Sequence, residues 1–260
     1  MNFLNPPVAE LWVSFSFAPN EAKTGWDLGQ VGKFLQRYMD EFPRLERALE
    51  TELHVEETSA SDLPRVIGRD VRVKYVRASN ADRSRILQLA DDELAFHLLK
   101  RGDNYPRFSA VREAITPKLN DYLRDFQPAS IRKAVIHYLD IIDIPIPVEG
   151  KIEIRDYFPF VTDLPELPFG QVQFTAQQFV AECPVDEGPL HLQIRTLQSP
   201  PEKRVFRFRV DWQKHSTNVN SLDLANIWNR LDRSHHYLRD CFEHFLTKST
   251  LDLFGPFSEH

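Results

Sequence analysis

The chain has 260 residues, of which 42% are apolar and 27% are charged, and its net charge at pH 7 is -6. This length suits one large domain or two small ones, and the mild acidity disfavours wholesale binding of nucleic acid or of an anionic membrane. The 9 glycines against 18 prolines, with no Gly-rich phosphate loop, exclude a doubly wound nucleotide-binding fold. No run of apolar residues is long enough to span a bilayer, the N-terminus does not resemble a signal peptide, and only two cysteines occur. We therefore expect a cytoplasmic protein without a membrane partner.

An alternating strand opens the chain, and a capped helix follows it. Over Ala9–Phe17, apolar residues take every second position, which predicts a strand with one buried face. Asp27 can cap a helix whose apolar stripe runs to Phe42. We expect Pro43 to kink or restart this helix, with Leu45–Leu49 continuing it. Residues 40–62 hold eight acidic and two basic residues, and the second half of this segment is predicted to be a solvated loop.

Three short strands and a helix complete the first half of the chain. The strands are predicted at Val71–Val76, Arg85–Leu89 and Leu94–Leu99, with turns rich in Asp and Asn between them. The helix runs from Phe108 to Phe126 on the evidence of its apolar spacing. Pro117 lies inside it and is expected to bend or divide it.

A long alternating run, Ser130–Ile142, lies at the middle of the chain. Its β-branched residues occupy both faces, which predicts a central strand covered at least partly on both sides. Pro145 and Pro147 end it, and Lys151–Phe158 begins a second alternating run. Further elements are predicted in the order strand, strand, strand, helix: Gln171–Cys183, Leu190–Gln198, Val205–Trp212 and Leu222–Ser249.

This order predicts an α+β fold in which two antiparallel sheets are each closed by a long amphipathic helix. The two helices share the sequence Tyr-Leu-Arg-Asp at 122–125 and 237–240, which suggests two related halves, 1–128 and 129–260. The second half would contribute the central strand to a single cooperative unit. The saddle of the TATA-binding protein and the helix-grip fold are the layouts that fit best.

Four segments resemble a sporadically distributed prokaryotic family of small uncharacterised proteins. They are Asn5–Glu10 before the first strand, Tyr138–Pro145, Asp156–Phe158 and the Phe254-Gly255 pair after the last helix. The resemblance covers nearly the full length and implies an accessory or defence-associated gene. It brings no catalytic residues with it.

The last helix carries the strongest candidates for a metal site. His236, Asp240 and His244 are spaced four residues apart and share one face. Three such ligands spread along about 12 Å of helix axis, so they cannot converge on one ion without bending. A solvated face is therefore the favoured interpretation, and we expect no metal and no cofactor. His235 points into the apolar stripe as a core histidine, and Cys183 and Cys241 are interpreted as structural.

The segment Arg65–Arg85 is unusually basic, with seven basic and two acidic residues. A charged outer sheet face is the simple explanation, and a partner surface is the sharper one. The predicted partner-binding residues lie here and on a later strand that repeats the pattern: Arg72, Lys74, Arg77, Arg83, Arg85, Arg207 and Arg209. An acidic protein surface is a better partner than nucleic acid, because the net charge of -6 opposes long polyanions.

The sequence favours a non-enzymatic protein-binding or regulatory module, and no motif supports an enzyme. A nucleic-acid-binding module that uses the arginine-bearing strands is one alternative. A binder of small apolar ligands is another, since helix-grip architectures often enclose a cavity. The oligomeric state stays open.

Overall fold

The computed structural model describes residues 5–20, 27–56, 65–102, 105–147, 153–159, 176–182, 188–200, 202–217 and 219–255. The strands are β1 (Val8–Ala18), β2 (Arg44–Glu56), β3 (Arg65–Ser79), β4 (Arg85–Ala90), β5 (Glu93–Leu99), β6 (Ser130–Pro145), β7 (Ala176–Ala181), β8 (Leu190–Leu197) and β9 (Val205–Ser216). The helices are α1 (Leu28–Gln36), α2 (Phe108–Phe126), α3 (Leu224–Phe245) and α4 (Lys248–Asp252).

The protein is an α+β fold built on one large antiparallel sheet. Its strand order in the described residues is β2-β3-β4-β5-β1-β6-β9-β8-β7. The sequence predicted two sheets, and the structure instead has one continuous sheet. The reason is that β1 pairs with β5 on one side and with β6 on the other, so the strands of both halves join in a single ladder.

The predicted central strand is confirmed and extends to Pro145. β6 is hydrogen-bonded along its length by β1 and β9. Ile136 is fully buried on the face that meets the helices, and Val135 is buried on the opposite face. The strand is therefore covered on both sides, as its two-faced apolar pattern predicted.

Two long helices lie on one face of the sheet. α2 packs against β5 and β1, and α3 packs against β6 and β9. α3 begins where the Asp223 side chain accepts hydrogen bonds from two backbone amides, and its buried stripe includes Ile227, Trp228, Leu231 and Leu238. α2 stays one helix through Pro117, so the predicted division does not occur. No helix in the described part of the chain combines the length and the apolar character needed to cross a membrane.

The segment after α1 differs from the prediction. Asp27 caps α1 as expected, but the helix ends at Gln36 and a turn segment, residues 37–41, leads to Phe42. Residues 44–56 form β2 instead of a continued helix and a solvated loop. Pro43 has no N–H to continue the turn, and residues 44–56 pair with β3 in the sheet instead.

A second correction concerns Lys151–Phe158. The described part of this run contains a short 3-10 turn, Ile154–Asp156, where a strand was expected. The Tyr157 backbone N–H donates to the carbonyl of Ile154, so the local bonding is helical. Within the predicted strand Gln171–Cys183, β7 covers 176–181, and residues 171–175 and 183 lie outside the described residues.

Candidate functional site

The predicted partner-binding residues fall into two separate groups. Five of them lie on or beside β3 and β4, and the other two lie on β9. β3 and β9 are five strand spacings apart in the sheet, or about 24 Å. The structure therefore does not join the seven side chains in one patch.

Most of the first group is compensated by carboxylates of the acidic segment. Arg72 lies 2.8 Å from Glu50, Arg83 lies 3.0 Å from Glu46, and Arg85 lies 3.7 Å from Glu41. Arg77 donates to the Gln88 side chain and lies over the Tyr75 ring. Lys74 is exposed at an irregularity of the β2–β3 register.

The second group is paired as well. Arg207 makes a two-pronged contact with Asp143, with N–O distances of 2.6 and 2.7 Å. These hydrogen bonds lower the pKa of Asp143. Arg209 makes the same kind of contact with Asp211.

His236, Asp240 and His244 are exposed, as the solvated-face interpretation predicted. His244 Nδ1 lies 2.7 Å from the carbonyl oxygen of Asp240, a contact within the helix. The described residues contain no cluster of His, Cys, Asp and Glu that could hold a metal ion. Cys241 is buried on the inner face of α3.

The sheet face away from the helices carries a row of aromatic and charged side chains. Trp12 lies between His97 and His137, with ring centroids 5.2 and 3.3 Å from its own. Each imidazole meets a carboxylate: His97 contacts Glu10 at 2.7 Å, and His137 contacts Asp211 at 3.1 Å. The row packs tightly, and both imidazoles are buried.

A cavity of about 450 Å³ lies on the helix face of the sheet. Its floor comes from β6 and β9, one wall from α3, and the other walls from the segments just before β1 and α2. Most of the lining is apolar or aromatic: Pro6, Pro7, Val8, Tyr105, Pro106, Phe108, Trp212, Leu238 and Phe242. Such a volume and lining are typical of small-molecule sites.

Asp140 is the most buried polar residue that lines this cavity. Only 1% of the residue is exposed. Its Oδ2 accepts a hydrogen bond of 2.8 Å from Trp212 Nε1, while its Oδ1 has no hydrogen-bond partner within the described structure. Burial raises the pKa of Asp140 to about 7, against the opposing effect of the Trp212 bond. At neutral pH this carboxyl group can therefore donate or accept a hydrogen bond.

A second polar pair borders the same cavity. The Tyr138 hydroxyl lies 2.8 Å from His235 Nδ1, and the His235 ring stacks on Phe108 at 4.7 Å. Burial lowers the pKa of His235 to about 4 and raises that of Tyr138. Both groups are therefore neutral at pH 7. His235 has a hydrogen-bond partner, as predicted, but it is half-buried and lines the cavity, whereas a core position was expected.

Sequence reasoning missed this site, although one signal was present. Asp140 lies on the face of β6 that meets the helices, together with Ile136, Tyr138 and Ile142. A carboxylate on an apolar face is costly unless something compensates it, so the break in the pattern marked the position. The alternation gave no means of identifying the other walls.

Two of the four segments on which the expected family resemblance rests line this cavity. Pro6, Pro7 and Val8 come from the first segment, and Tyr138 and Asp140 come from the second. Backbone bonds hold them in place, because the Ile141 N–H donates to the carbonyl of Pro7 at 3.0 Å and the Asn5 N–H donates to that of Phe254 at 2.9 Å.

No protein-family model and no curated protein matches the chain. Among solved structures, it is similar to the crystal structure of DynU16, a protein of the dynemicin biosynthetic locus. The identity is 15% over 87% of this chain and 95% of that chain, with a TM-score of 0.21. A TM-score of this size is no evidence for a shared fold or function.

Proposed function

We propose that the protein binds a small, largely apolar molecule in the cavity between β6, β9 and α3. The observation that carries this proposal is Asp140, which lines the cavity and whose buried Oδ1 has no hydrogen-bond partner among the described residues. A buried polar atom left unsatisfied costs about 1–3 kcal/mol, so its persistence calls for a compensating bond. A ligand that offers one polar atom to Oδ1 would supply that bond.

The walls support the same function. Phe108, Trp212 and Phe242 present aromatic surface to the cavity, and the neutral Tyr138–His235 pair adds a fixed polar edge. A mainly apolar ligand would gain roughly 25 cal/mol for each Å² of apolar surface that it removes from water. The polar groups would then set its orientation.

The protein-binding function favoured by the sequence stays a prediction. The basic residues would have to exchange their present carboxylate partners for those of another protein. The phosphates of a nucleic-acid partner would likewise have to displace these carboxylates. The relatedness of the halves 1–128 and 129–260 is also a proposal, supported by a layout in which each half begins with a central strand and ends with a long helix.

Titration with a neutral fluorescent probe, N-phenyl-1-naphthylamine, tests the proposed function. We expect saturable binding with one site per chain. Ser109→Trp places a large side chain at the cavity lining and should weaken binding about tenfold or more. The matched control is Ala110→Trp, since Ala110 is an exposed neighbour on α2 that does not line the cavity. The proposal is wrong if the wild type shows no saturable binding, or if both variants bind like the wild type while their melting temperatures are unchanged.

A further inference from the structure

We propose that the ligand of this cavity is an organic monoanion, with its carboxylate or similar group at the start of α2 between Arg107 and Arg239. This inference rests on the proposed ligand-binding function and specifies the ligand's chemical class. The apolar part of the molecule would lie against Phe108, Trp212 and Phe242.

The start of α2 borders the cavity and has no side-chain cap. Its N-cap residue, Arg107, has extended backbone and provides no side-chain cap, whereas Asp27 caps α1 and Asp223 caps α3. The first amides of a helix have no partner within the helix and attract negative charge. Phe108 and Ser109, the first two residues of α2, both line the cavity.

Two arginines border the same space. Arg107 lies over the Tyr105 ring at 5.3 Å, a contact that restrains its guanidinium group. Arg239 lines the cavity from α3, and its ion pair in the described structure is a long, exposed contact of 3.7 Å with Asp240. Both arginines are exposed whereas Asp140 is buried, which places the positive end of the cavity toward solvent.

Asp140 supplies a second and independent sign of a ligand, because this residue lines the same cavity and its Oδ1 has no hydrogen-bond partner in the described structure. A protonated Asp140 donates a hydrogen bond, so it suits an oxygen acceptor on the ligand. A cationic ligand would meet two arginines and the positive end of a helix. The charges therefore select an anion over a neutral molecule, and a neutral molecule over a cation.

Displacement of N-phenyl-1-naphthylamine from the wild type by octanoate, 1-octanol and octylamine tests the inference. The three competitors share one apolar chain and differ in charge. We expect octanoate to displace the probe at a concentration about tenfold below that of octanol, with protonated octylamine the weakest. Added salt should reduce the preference for octanoate.

Arginine variants connect this preference to the site. Arg107→Met and Arg239→Met should weaken octanoate about three- to tenfold each and leave octanol unchanged. Arg233→Met is the matched control on α3, outside the cavity, and should keep the wild-type preference. The anion inference is wrong if octanol and octanoate displace the probe equally well. It is also wrong if the arginine variants leave the displacement by both competitors unchanged. In either case the ligand-binding function stands. Absence of probe binding would overturn both.

Discussion

At the scale of single residues, Asp140 is a carboxyl group whose burial opposes its ionisation. The unfolded chain releases the Asp140 proton near pH 4, whereas the folded protein holds it to about pH 7 because burial disfavours the charged carboxylate. Between these values the folded state binds more protons than the unfolded state. The free energy of unfolding therefore falls as the pH rises through this window.

Asp140→Asn removes this titration and gives a first prediction. The wild type should lose about 2–3 kcal/mol of unfolding free energy relative to the variant between about pH 5 and about pH 8. Urea unfolding of both proteins across that range measures the difference between their unfolding free energies. The contributions of the other titrating groups cancel in this difference. A difference that is independent of pH would show that Asp140 is not buried as described.

Asp143, on the same strand, provides the matched control. Its hydrogen bonds from Arg207 lower its pKa, so its contribution is present at neutral pH and is lost as the pH falls through the folded-state pKa. Relative to Asp143→Asn, the wild type should gain stability as the pH rises from acid. The stability difference between wild type and variant therefore changes with pH in opposite directions for the two aspartates. A general effect of removing one charge cannot produce this result.

At the scale of elements, the sequence predicted those with a strong apolar period. β6, α2 and α3 bury regular stripes, and their positions were confirmed. β2 was missed because it is an edge strand with little to bury: Leu45 and Leu49 are 49% and 62% exposed. Its charges made it look like a loop. The cavity was missed for another reason, since its walls come from five distant segments that share no local pattern.

The β2–β3 pair shows what those charges do. The register places Glu46 opposite Arg77 and Glu50 opposite Arg72. Opposite charges across a strand pair stabilise it, and a slip by one residue would remove these matches. Acidic residues of β2 and basic residues of β3 therefore lie opposite one another in the sheet.

This pairing gives a second prediction. Arg72→Ala with Lys74→Ala should lower the unfolding free energy by no more than about 1 kcal/mol, because exposed ion pairs contribute little. Thermal unfolding measures it. If the two residues also form a partner surface, binding to that partner should weaken and lose part of its salt dependence. Unchanged affinity for a partner that co-purifies with the wild type would contradict that surface.

At the scale of the whole molecule, the contacts between the segments 1–128 and 129–260 are extensive. The β1–β6 ladder is the main one. Arg112 of α2 adds two hydrogen bonds to Asp232 of α3, at 3.1 and 2.8 Å. The cavity itself draws residues from both segments.

We therefore predict that the protein unfolds in one transition. Calorimetry should give a single peak whose enthalpy equals the van 't Hoff value. Val13→Asp, at a fully buried position of β1, should cost several kcal/mol and weaken hydrogen-exchange protection in β9 as much as in β5. Two resolved peaks, or loss of protection in β5 alone, would mean that the halves fold independently.

The edge position of β2 has a consequence for how copies of the protein meet in concentrated solution. In the described structure, this 13-residue strand has a sheet neighbour on one side only. A long bare edge is a template on which a second molecule can add its own strand, and repetition of that step produces fibrils. Stacking copies of β2 in register would place Glu46 and Glu50 beside their own duplicates, where like charges repel. The charges that made β2 look like a loop in the sequence thus also oppose fibril growth along this edge, which carries the exposed Leu45 and Leu49.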